Sequence, residues 1–213
     1  MATHDLTKNA VTITGNHSFL AYALNKARED HEALYEKMNK FDPQVEYSQY
    51  PTKAAYFLAF GRRIFSSETH IILISASLVE AIANMIYSDR ADSEMFAILE
   101  RATPIEKWVT LPKLYIPSYS LSKSGKLYNT LKLLISRRNN MLHPKPQILK
   151  GEGLIHKGNL TKKTKDEYKL HLDFCELPSL LVNNLKTYDS GSGTMIEMMF
   201  SMLPEQKRES LFK

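Results

Sequence analysis

Arg138 and His143 bracket four residues near the end of an apolar segment, with Asn139 directly after the arginine and Pro144 directly after the histidine. These residue types suffice for one kind of chemistry. An imidazole titrates near neutrality, so it can take a proton from a ribose 2′-hydroxyl or give one to a leaving 5′-oxygen. A guanidinium can grip a phosphate through paired N–H donors and offset charge developing in the transition state. Together they could carry phosphodiester transesterification in RNA without a metal, leaving a 2′,3′-cyclic phosphate. One histidine cannot easily serve as both acid and base in that step.

The element that must position them is a helix over 126–142. Leu127, Leu131, Leu134 and Met141 step by four, three and seven and form one apolar stripe. Arg138 falls on that stripe and Arg137 does not. An arginine on a core-facing side is costly unless it is paired or faces a wet interface. His143 lies about 140° further round an ideal helix, but a residue before proline is disfavoured in the α region. The helix therefore ends at Leu142 or His143, which frees the imidazole to turn toward the arginine. Asn139, four residues before His143, is placed to hydrogen-bond its ring and hold one tautomer.

The run Arg138-Asn139-x3-His143 resembles the R-[polar]-x3-H motif of HEPN-domain proteins, and Ser75–Asn84 resembles the long helix that packs beside the motif helix in that family. The resemblance covers roughly 17–144 and the closing helices, with a lysine-rich block as a departure. It implies an all-α up-and-down bundle and a metal-independent endoribonuclease acting as a homodimer, which brings two copies of the motif together. His143 is then the acid/base, Arg138 the phosphate ligand and Asn139 the orienting group. It further implies no cofactor, and a toxin-like or defence context with an inhibitory, antitoxin-like protein partner. Two other readings stay open: a non-catalytic HEPN module that binds RNA, nucleotide or a protein, and a purely structural helical domain. Glu80 belongs to both sides of that question. It can be a core carboxylate that merely pairs Arg138, or it can position Arg138 for chemistry. A second pair, Arg63 and His70, lacks the polar residue after the arginine and straddles an expected helix junction at Ser66-Ser67, so it reads as a decoy.

Elsewhere the spacing predicts helices over 17–40, 51–65 and 67–88, the last with Ser67 at its cap and Ile71, Ile74, Leu78, Ile82 and Met85 on one face. In the first, Phe19, Leu20, Leu24, Leu34, Tyr35 and Met38 read as core. A shorter helix over 92–101, capped by Asp92 or Ser93, precedes short pieces over 104–115 that carry Trp108 and are broken by Pro112 and Pro117. Tyr168, Leu170, Leu172 and Phe174 alternate with polar residues and predict one short strand inside a β-containing or loop insertion over about 145–175. Helices over 178–189 and 194–212 close a single domain, separated by Gly191-Ser192-Gly193. The last carries Met195, Met198, Met199 and Met202, suited to completing the bundle or to a homodimer or antitoxin contact.

Composition sets the remaining bounds. The net charge of +5 and pI near 9.1 permit an acidic partner such as RNA. Between Lys145 and Lys169 there are seven lysines and three acids, most of the chain's excess. This block is either a solvated loop or a phosphate contact beside the site, through Lys145, Lys150, Lys162 and Lys163. Single Cys175 excludes an internal disulfide, and the seven histidines show no metal-ligand spacing. The start of the chain has no signal-peptide core, and the apolar run Ile71–Ile86 is interrupted by Glu80 and Asn84, too short for a bilayer. The expectation is a soluble, cytoplasmic protein that binds RNA and neither metal nor membrane.

Overall fold

Tyr56, Phe60, Ile64, Ser67, Ile71, Leu78, Ile82 and Met85 are all buried, and steps of three, four and seven carry one stripe straight through the two serines. The computed structural model accordingly has a single helix here. It describes residues 6–40, 49–88, 93–143, 155–156, 159–160 and 162–189. The elements are α1 (Leu6–Asn39), α2 (Lys53–Ser88), α3 (Ser93–Arg101), α4 (Pro104–Val109), α5 (Pro112–Tyr115), α6 (Lys126–Leu142), β1 (Ile155–His156), β2 (Asn159–Leu160) and α7 (Lys162–Lys186). The protein is an all-α bundle.

Helix α2 is its axis and packs against α1, α3, α4, α6 and α7. Thr52 starts it, its hydroxyl accepting from the Ala55 N–H at 3.1 Å. That replaces the expected break at Ser66-Ser67: Ser67 does not cap a helix, because its hydroxyl lies 3.0 Å from Nδ1 of His31 on α1 and is satisfied there. Leu58–Tyr87 is long and apolar enough to cross a bilayer, contrary to the shorter reading of that run, yet over half of its most apolar window is buried inside the bundle. Each fully buried Leu or Ile on such a helix stabilises by roughly 1.5–3 kcal/mol relative to exposure. Against α2 lie Leu24 of α1, Trp108 of α4, Leu131 and Leu134 of α6, and Phe174, Leu177 and Leu181 of α7. A second, smaller cluster joins Leu34, Tyr35 and Met38 to Tyr56, Phe60 and Ile64.

Several expectations give way. Helix α1 begins eleven residues earlier than the apolar pattern suggests, and Phe19 is 70% exposed rather than core. Tyr168–Phe174 is helical, not a strand, so the non-helical insertion ends before Lys162. Its only described β structure is the two-residue antiparallel pair β1–β2. The alternation misled because buried His171, Phe174, Cys175 and Pro178 follow helical spacing, whereas Leu170 and Leu172 are only half-buried. Helix α7 continues through Pro178, where the missing N–H removes one bond to the preceding turn, and so absorbs the expected 178–189 helix. Asp92, Lys145, Lys150, the Gly191–Gly193 linker and the 194–212 helix lie outside the described residues.

Candidate functional site

The site rests on α4, α2 and α6. Thr103 and Glu106 form a reciprocal capping box that starts α4: the Thr103 N–H donates to Oε2 of Glu106 at 2.8 Å, and the Glu106 N–H donates back to the threonine hydroxyl at 3.3 Å. These bonds hold the Glu106 carboxyl below its ordinary range, the threonine hydroxyl being the largest cause. Consecutive residues of α4 then grip consecutive residues of α2. The Trp108 indole N–H donates to the Val79 carbonyl at 3.0 Å, and Lys107 Nζ reaches Oε1 of Glu80 at 3.1 Å. Tyr87 donates to the Lys107 carbonyl at 2.7 Å and Tyr119 to the Trp108 carbonyl at 2.8 Å. With its side chain only 2% exposed, Lys107 is a buried charge with a fixed address.

Arg138 meets the same carboxylate from α6. Its Nη1 lies 3.2 Å from Oε2 of Glu80, and its side chain is 24% exposed. The stripe prediction holds: Leu131 and Leu134 are buried, Leu127 and Met141 half-buried, and Arg138 shares their face. Arg137 points elsewhere and donates to Oε1 of Glu167 on α7 at 2.8 Å. Glu80 thus faces two cations, so this cluster of Lys107, Glu80 and Arg138 carries a net positive charge. The charge is half-open to solvent on the arginine side.

His143 ends α6 as foreseen from Pro144. Its backbone leaves the helix at φ −127°, ψ 68°, with its N–H still donating to the Asn139 carbonyl at 2.9 Å. The imidazole is exposed. The role given to Asn139 is corrected: its side-chain oxygen accepts from Nε of Arg138 at 3.3 Å, and the link to His143 runs through the backbone. The structure therefore brings together Arg138, Asn139 and Glu80, adds Lys107, and leaves the His143 ring facing solvent.

Two ion pairs fix how α7 approaches. Lys126 bonds Asp173 at 2.9 Å and Arg137 bonds Glu167 at 2.8 Å, so the two helices run antiparallel. The first turn of α7, with exposed Lys162 and Lys163, consequently lies at the same end of the bundle as His143. No acid sits in that turn to offset the positive end of the helix dipole.

A buried polar cluster escaped the sequence reading. His31 and His171 lie with ring centroids 5.3 Å apart, beside Tyr35, Tyr168 and Glu68. Burial, with His171 adding repulsion, pushes the His31 imidazole down to about 4, and burial also lowers His171. Burial, reinforced by Glu167 and opposed by Arg137 and Tyr35, pushes the Glu68 carboxyl up to about 7. Burial pushes the Cys175 thiol up to about 12, an inert core sulfur. The helical spacing of Ser67, His171 and their apolar neighbours was the signal, but a lone polar residue on each face gave no hint of the others. Among the described residues, no group of three His, Cys, Asp or Glu side chains is placed to hold a metal ion.

No family model, curated protein or solved structure matches this chain.

Proposed function

We propose that the chain is a metal-independent endoribonuclease of HEPN type, acting as a homodimer in the cytoplasm. The observation that carries this reading is the surplus charge at Glu80. Because buried Lys107 already neutralises that carboxylate, Arg138 is held in place without being electrically consumed, and it can meet a phosphate. His143, exposed one turn beyond, supplies the proton-transfer group. Lys162 and Lys163 at the same end suit a passing RNA backbone. A single chain holds one such histidine, so a two-fold partner copy supplies the second. The family likeness extends the proposal to a toxin-like or defence role, with a protein partner that restrains activity.

One observation favours a second reading, a non-catalytic module that binds RNA, nucleotide or protein: Asn139 is committed to Arg138, and nothing within one chain orients the His143 ring. Incubation of wild type and His143→Ala with total RNA in EDTA, followed by end-group analysis, separates the two. Cleavage by wild type alone with 2′,3′-cyclic phosphate ends supports the ribonuclease. Folded, dimeric wild type that leaves RNA intact replaces it with the binding module.

A further inference from the structure

The Arg63–His70 pair is not the accident its spacing suggests. No helix junction separates the two residues; both lie on the continuous α2 and both line an open cavity of about 600 Å³ between α1 and α2. Pockets that take small organic ligands run from roughly 300 to 1,000 Å³.

The hydrogen bond between His31 and Ser67 sets the register of the two helices. Leu34, Tyr35 and Met38 pack with Ile64, Phe60 and Tyr56, so α1 and α2 run antiparallel. Counting from the His31–Ser67 contact at 1.5 Å per residue, Lys37 lies about 9 Å along α1 and Arg63 about 6 Å along α2, toward the same end. His70 and Ala27 lie toward the other. The cavity thus has two chemically distinct ends joined by a floor.

At the first end two exposed cations meet, a guanidinium and an ammonium, with the exposed Ser66 hydroxyl one turn away from Arg63. The only carboxylate in the lining, Asp30, is engaged by Lys26 at 3.2 Å, so the cavity's cationic charge is not cancelled from within. Ala27, Ala33 and Leu34 make one wall apolar and, at the alanines, shallow. His70 offers a ring edge at the far end. A cationic end for a phosphate, a flat apolar wall for a ring and polar groups at the ring's far edge match a nucleotide in order and in size.

We infer that the groove between α1 and α2 binds a nucleoside 5′-monophosphate, with Lys37 and Arg63 on the phosphate and the Ala27, Ala33 and Leu34 wall against the base. The site shares no residue with the Glu80–Arg138 cluster and lies about 20 Å along α2 from it, taking Ser67 to Glu80 at the helical rise. It stands whether or not the chain cleaves RNA.

The test is calorimetric titration in the Arg138→Gln background, so that the arginine of the first site contributes nothing. Adenosine 5′-monophosphate, adenosine and inorganic phosphate serve as probes. The monophosphate binds, adenosine binds at least about tenfold more weakly because the charge-assisted contacts are missing, and added salt weakens the monophosphate. Arg63→Gln and Lys37→Gln each cost a further tenfold or so, and circular dichroism shows them folded, since both side chains are exposed. Absence of monophosphate binding at millimolar concentration overturns the inference. So does equal affinity for adenosine and its monophosphate, or binding unchanged in the Arg63→Gln, Lys37→Gln double variant.

Discussion

Lys107 and Arg138 hold the two oxygens of one carboxylate, Glu80, from two different helices: Nζ at 3.1 Å on Oε1 and Nη1 at 3.2 Å on Oε2. The two cations are not equivalent. Lys107 is sealed in the core by the bonds that fix α4 to α2, whereas Arg138 keeps one side open. A simple core ion pair needs one cation. The second makes the cluster an anion-attracting device with a rigid anchor.

That asymmetry predicts unequal costs. Glu80→Ala strands Lys107 as an uncompensated buried charge and costs about 3 kcal/mol, as removal of one partner from a buried pair does. Arg138→Ala leaves Glu80 neutralised by Lys107 and costs under about 1 kcal/mol, as for a partly exposed pair. Urea unfolding of both variants decides it. Equal losses would show that Arg138 is a structural ion-pair partner and would remove the basis for an open phosphate site.

His143→Ala should leave the melting temperature within experimental scatter, because the ring is exposed and no side-chain bond holds it in the fold. RNA cleavage should fall by about 10²–10⁴-fold, the range for loss of general acid–base catalysis. Arg138→Gln should lower cleavage by roughly 10²–10³-fold through lost charge stabilisation. A variant of His143 that cleaves at the wild-type rate assigns the proton transfer to another group.

The antiparallel placement of α6 and α7 predicts that Lys162→Gln with Lys163→Gln weakens RNA binding without altering sequence preference. Each phosphate contact contributes about −0.7 to the slope of log K against log salt for a single strand, so the double variant should flatten that slope by roughly 1.4. Filter binding across a salt series measures it. An unchanged slope places the RNA elsewhere.

The helical class, the end of α6 at Leu142 and the place of Arg138 on a buried stripe were all legible, because each follows from periodicity or from proline stereochemistry. Glu80 was legible as the one carboxylate in the most apolar helix. Lys107 was not, since a lysine in a six-residue helix reads as solvated and only the tertiary bonds of Trp108 and Tyr87 bury it. The same blindness produced the false break at Ser67 and the false strand at Tyr168–Phe174. In both, a polar residue that is satisfied across the bundle looked like a surface residue, so the apolar count underestimated the buried face.

The buried cluster around Glu68 carries a pH signature. Its carboxyl titrates near 4.5 in an unfolded chain and is raised to about 7 in the fold, so the folded state favours the protonated form. Its contribution is therefore fully present below about pH 4.5 and is lost as pH rises through about 7, up to about 3 kcal/mol for a shift of this size. His31 and His171 act in the opposite sense. Their lowered values make neutral imidazole the folded form, so stability present above about 6.5 is lost as pH falls. Glu68→Gln isolates the carboxyl, because the histidine contribution is common to both proteins and cancels in the difference. The variant should match wild type near pH 4.5 and exceed it by up to about 3 kcal/mol near pH 8 in urea unfolding. Arg137→Ala should push the carboxyl higher still, since Arg137 is the cation that holds it down. A Glu68→Gln difference that stays constant from pH 4.5 to 8 would mean that Glu68 is ionised in the fold throughout, its charge carried by the nearby Arg137 rather than expelled by burial.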